Sequence, residues 1–290
     1  MFLSSGVCIG LVFVLQAGPL PHQATISTGL DSPARMAVTN AEILVTDTRA
    51  DRVLRYDLAG NPLGVWNEPA GPVGIAVHSD GRIFVSRRDD AKVAVYDASF
   101  AFQQFLGQGV VVFLQPTDLA FDPASNRVIV VDGGADRLYA FDGTTGALAL
   151  MLGIRGSRFS EFKYPSAVAV DAVNHRILVA DQDNFRVQVF DSSGIFLFSF
   201  GYRIKFLPDG SSEGWFPRVA GLAVDGLGRI YVTDAVMGTL RMFDSRGAEL
   251  GKVVGYGSAP GDLQTPCGVA LDASGRVLVA NSNVGTVEVY

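Results

Sequence analysis

The residues of this chain that could do chemistry are few and scattered. Three histidines, His22, His78 and His175, are its only imidazoles, and a zinc site needs its ligands to converge at about 2.1 Å from one point. Calcium would need several carboxylate oxygens around one centre. No phosphate-cradling glycine loop occurs, and the Ser, His and Asp residues show no spacing that would bring a triad together. The residue types that do cluster belong to interfaces. The stretch 201–221 gathers Tyr202, Arg203, Lys205, Phe206, Trp215, Phe216 and Arg218, and aromatics beside arginine dominate the energetics of protein contacts.

What must position these residues is a repeat. From Tyr164 to Gly201 the chain holds four short apolar runs, Ala167–Val170, Ile177–Ala180, Val187–Phe190 and Ile195–Phe200, separated by Asp, Asn, Ser and Gly. Runs this short, rich in branched and aromatic residues and bounded by turn chemistry, are strands. The line recurs after Pro33, Pro72, Pro116, Pro165, Pro217 and Pro266. A period of about 40–50 residues is that of one four-stranded propeller blade. The expected fold is therefore all-β, a six-bladed propeller of antiparallel blades. The sixth copy ends at Tyr290 after its third strand, while Gln23–Ser27 stands unattached before the first proline. This leading segment (about 23–27) is expected to complete the last blade and so cover an edge.

Comparing the copies sorts scaffold from exception. The turns Asp225–Arg229 and Asp272–Arg276 read as hairpin joints, with Gly supplying positive φ. Asp47 with Arg52, Asp132 with Arg137, and Asp181 with Arg186 each read as a bridge across the loop between second and third strands. In the acidic column blade two departs, with Arg87 followed by Arg88. Just inside each opening proline comes the column Arg35, Gly74, Asp118, Ala167, Gly221 and Gly268, which is expected to line one mouth of the central channel. Loops entering the inner strands and loops between second and third strands emerge on one face. Arg35, Arg87, Arg88, Asp118, Phe185, Tyr202, Arg203, Trp215 and Arg218 are therefore the expected binding surface. Trp215 and Phe216 could alternatively plug the crevice between blades. Val110–Leu114 is apolar where its equivalents are polar, and either tucks over the sheet or forms a contact patch.

The units resemble NHL repeats. The likeness is carried by the opening proline, a strand ending in Val-Asp, then Asn-Arg-Ile or Gly-Arg-Ile, Val-x-Asp, and Arg-Val-x-Val-Phe-Asp-x-x-Gly. Blade four matches through Asp171, Arg176, Asp181, Arg186, Phe190, Asp191 and Gly194. The resemblance spans about Ser32–Tyr290 and implies a recognition platform or scaffold for another protein. In one branch it implies a lyase with a histidine-held zinc at the channel mouth. Against that branch, His22 lies in the N-terminal segment, while His78 and His175 fall in turns on the opposite face. A calcium-dependent, lactonase-like site would have only Asp118 well placed. The expectation is thus a non-catalytic binding module without catalytic residues, metal or cofactor. The alternative is a metal-dependent lyase or hydrolase at the channel mouth.

The first twenty residues, with apolar Val7–Leu15 and small residues after it, read as a secretory signal, too short for a bilayer span. Extracytoplasmic localisation is expected, with 21–290 as one propeller and no integral membrane span. Loss of the signal would leave Cys267 without a disulfide partner, since Cys8 is the only other cysteine; an inert buried thiol is expected. A net charge of −6 with dispersed basic residues argues against nucleic acid. A protein or complex subunit is the expected partner, with polysaccharide or a small ligand left open.

Overall fold

A computed structural model describes residues 19–68, 70–202, 205–206, 212–213 and 216–290. Six four-stranded antiparallel sheets follow one another along the chain. Blade four is representative, running outward through Pro165–Asp171, Arg176–Asp181, Arg186–Asp191 and Phe196–Phe200. The other inner strands are Pro33–Val38, Pro72–Val77, Pro116–Asp122, Val219–Val224 and Pro266–Leu271. Each inner strand touches the next, and the sixth touches the first, so the ring closes. Blade five enters its sheet at Val219, two residues after the expected Pro217.

The middle strands explain why the sequence shows continuous apolar runs rather than alternation. Ile177, Leu178, Val179 and Ala180 are all buried, because each blade is covered on both faces by its neighbours. The core therefore lies between blades. Leu178 and Val189 of blade four pack with Phe200, Phe216, Leu222 and Phe243 toward blade five. Phe216 is fully buried with its ring 5.7 Å from that of Phe243, so it fills the crevice.

The leading strand closes the last blade as expected, spanning Ala24–Ile26 against Thr286–Val289. Ala24 pairs with Val289 and Ile26 with Val287. Ile26 packs with Ile43 and Tyr56 of blade one and Leu278 of blade six. Beside it the buried Glu288 carboxylate accepts from the Thr25 hydroxyl at 2.6 Å and the Thr286 hydroxyl at 2.7 Å. His22 lies 3.1 Å from the same carboxylate.

The recurring aspartates clamp loops. Asp47 Oδ1 accepts from Ser32 N–H at 2.6 Å, and Asp181 Oδ1 from Lys163 N–H at 2.7 Å. In each case the bond ties down the loop entering the inner strand. The pairs Asp47 with Arg52 (2.9 Å) and Asp181 with Arg186 (2.8 Å) form. The third expected bridge does not. Arg137 Nη1 points at Met151 Sδ, 2.8 Å away. Asp132 instead accepts from the backbone of Leu114, Gln115, Gly134 and Ala135, which satisfies it without a cation.

Candidate functional site

All six blades contribute to a cup of about 390 Å³ at the end of the ring where the inner strands begin. Its wall is the column Ala34, Val73, Thr117, Ser166, Ala220 and Cys267, one residue before the column expected from the sequence. The reason is a bulge. Pairing skips at the start of every inner strand, as where Pro116 faces Asp132 but Asp118 faces Val131, and a bulge re-aims side chains. The expected column packs against the next blade instead. A Cβ on Gly221 would lie 2.3 Å from the Cys267 carbonyl oxygen, and one on Gly268 would lie 2.5 Å from that of Ala34. These positions are small because neighbouring backbones touch there. Cys267, expected to be sealed in, is only half-buried and reaches the cup.

Arg35 and Asp118 are the exceptions, and they meet. The Arg35 guanidinium leaves blade one, crosses the axis and donates through Nη2 to the carbonyls of Ser166 in blade four and Ala220 in blade five, both at 2.8 Å. Its Nε lies 3.2 Å from Asp118 Oδ2 of blade three. Asp118 also accepts from Val168 N–H at 3.2 Å. Burial pushes the Asp118 carboxyl above its ordinary range, and the Arg35 charge opposes that rise. Below the pair lies a chamber of about 70 Å³. Arg35 is thus a bolt across the bore, and the cup above it is blind.

The other expected site residues divide. Arg88 and Arg218 line the cup. Arg87 does not line the cup and turns into its own blade, 2.8 Å from Asp90 and 3.6 Å from Glu68. Phe185 caps a short 3-10 turn, Gln182–Asn184, in a left-handed conformation, and Tyr202 is half-exposed; neither lines the cup. Arg203 and Trp215 lie outside the described residues. Sequence comparison missed Thr48, Gln115, Tyr164, Gln182, Ser282 and Asn283, which complete the wall. The column after the clamp aspartate (Thr48, Arg88, Gln182, Ser282) was their available signal.

The histidines stay apart. His78 lies in a first-to-second-strand turn, 2.9 Å from Asp80 and 2.8 Å from Asn126 Oδ1. Burial tends to raise the Asp80 carboxyl, but Arg82 and His78 outweigh it and bring it to about 2. His175 sits in the matching turn of blade four at φ 53°. Among the described residues no three His, Cys, Asp or Glu side chains form a metal-holding group. No described helix is long and apolar enough to cross a membrane. Val110–Leu114 does both things open to it: Phe113 is buried and Val111 packs beside it, while Val110, Val112 and Leu114 are exposed.

Residues 162–190 match the NHL repeat. Human E3 ubiquitin-protein ligase NHLRC1 is 32% identical over 145 residues, half of this chain and a third of that protein. The match thus spans only about a third of that relative's length. A Bacteroides thetaiotaomicron protein of unknown function superposes with TM-score 0.69 at 17% identity, over 90% of this chain and 69% of that one. A streptogramin B lyase structure superposes with TM-score 0.63 at 11% identity, over 92% and 96%. At such identities the superpositions show the fold alone. Blade four thus carries an NHL-repeat match, and the ring that holds it is a six-bladed β-propeller.

Proposed function

We propose that this propeller is a non-catalytic recognition module, exported from the cytoplasm, whose cup face takes hold of a partner protein. The observation that carries the reading is the bolt. Arg35 and Asp118 use their charges on each other and on two carbonyls, which closes the bore. The cup above presents donors from several blades, including Arg88, Arg218, Gln115, Gln182 and Asn283. A concavity on a rigid ring that sets these donors on a largely apolar wall suits docking. The human relative, an E3 ubiquitin-protein ligase, is consistent with a propeller that serves protein assembly.

The test is to block the cup without changing its charge. Gln182→Trp and Asn283→Trp place bulk at the rim, where neither residue holds the core. Crosslinking to partners in the native host should be lost in the double variant while the melting curve is kept; crosslinking at wild-type strength would remove the cup from recognition. Stoichiometric zinc or calcium in the purified chain would instead favour a metal-dependent lyase or hydrolase. Export is tested separately. A chain starting near residue 21 outside the cytoplasm supports it, and an intact Met1 in the cytoplasmic fraction overturns it.

A further inference from the structure

The cup carries a charge that the molecule as a whole does not. Net charge is −6, yet among the described residues lining the cup are three arginines and no carboxylate. Arg35, at the floor, is matched by Asp118. Among the described residues the half-exposed Arg88 guanidinium pairs with the equally exposed Asp89 at 2.8 Å, a pair that solvent screens. Arg218 is exposed; only its backbone is engaged, donating to Asp234 at 3.0 Å and accepting from Ala235 N–H at 3.1 Å. Its guanidinium has no partner among the described residues. The inner strands touch in chain order around the ring, so blades two and five stand opposite each other, and Arg88 and Arg218 face one another across the cup. Between them Tyr164 accepts from Gln115 Nε2 at 2.8 Å, which leaves the phenolic hydrogen free to donate.

We propose that the cup holds an acidic polypeptide segment, with carboxylates gripped by Arg88 and Arg218 from opposite sides. The proposal rests on the cup being the recognition face. A guanidinium is planar, permanently charged and forms paired bonds to a carboxylate, and arginine clusters are a recurring way of reading acidic motifs. A short acidic segment puts its charge only into the cup. A nucleic acid would carry its phosphates beyond the cup, along a molecule whose net charge is −6, and be repelled by it as a whole.

The experiment is fluorescence anisotropy with a dye-labelled synthetic peptide alternating Asp and Glu with Gly and Ser, beside its Asn and Gln counterpart. The acidic peptide should bind, with affinity falling as salt rises, and the neutral one should not. Arg88→Glu and Arg218→Glu should each weaken binding about tenfold or more, as expected for loss of a charge-assisted pair, and together abolish it. Arg246→Glu, in an exposed turn at the opposite end of blade five, should leave it unchanged. No binding of the acidic peptide, equal binding of the neutral one, or retention by the double reversal would each overturn the proposal. So would tighter binding of a labelled oligo-uridine. Loss of partner capture in the rim-blocked protein together with no acidic-peptide binding would keep the recognition face and reject its acidic ligand. Acidic-peptide binding through both arginines with capture unaffected by the rim block would do the reverse.

Discussion

A single reversed charge in blade two shows how these blades tolerate exceptions. Elsewhere an acceptor side chain, such as Asp47, Asp132, Asp181, Asp234 or Asn281, clamps the entering loop through backbone N–H groups. Arg87 stands in that column and can accept nothing. The entering loop supplies the carboxylate instead: Glu68, 1% exposed, lies 3.6 Å from Arg87 and takes a hydrogen bond from the Tyr96 hydroxyl. Burial pushes the Glu68 carboxyl up, and the Arg87 charge opposes that rise. Arg87→Asp should therefore cost about 3–5 kcal/mol at neutral pH, the usual penalty for breaking a buried pair, since it sets two carboxylates together. Because the folded-state pKa of Glu68 would rise further, the deficit should be smallest below the ordinary carboxylate range and grow as pH rises through the raised value. Adding Glu68→Gln should recover much of the loss in urea titrations; strictly additive losses would show that the two side chains are uncoupled. Copy-to-copy comparison marked Arg87 as an exception, and its guanidinium lies against Glu68 and Asp90. Its partner comes from a loop that holds no fixed place in the repeat.

At the level of strands, the sequence told most where the repeat is regular. Six sheets, their order and the closing strand were all legible, because two-sided burial forces short continuous apolar runs and leaves a three-stranded last blade visibly incomplete. The cup wall was read one residue late, because the bulge that opens each inner strand leaves no mark in an apolar pattern. The closing strand carries a direct consequence. Removing residues up to Ser27 would strip Ile26 from its contacts, a burial worth about 1.5–3 kcal/mol. It would also take the Thr25 hydroxyl and His22 from the buried Glu288, at about 1–3 kcal/mol for an unsatisfied group. A melting temperature lower by roughly 5 °C or more is expected by calorimetry, with self-association through the bared edge of Thr286–Val289. An unchanged, monomeric melt would show that the ring is sealed by something else.

For the whole ring, Arg35 is the one side chain among the described residues that connects opposite walls. Six similar blades packed side by side hold neighbour to neighbour, whereas this guanidinium joins blade one to blades three, four and five at once. Buried this way, the ion pair gives geometry more than net stability, since desolvating two charges offsets much of their attraction. Arg35→Met should thus be severe, about 3–5 kcal/mol, because Asp118 is left buried without its cation and the Ser166 and Ala220 carbonyls lose their donor. Arg35→Met with Asp118→Leu should regain most of that loss in chemical denaturation. The double variant should nevertheless bind partners more weakly, because the floor of the cup is no longer held between opposing blades. Full stability in Arg35→Met alone would show that the bolt is not what holds the bore shut. Wild-type binding in the refolded double variant would show that the cup keeps its shape from neighbour packing alone.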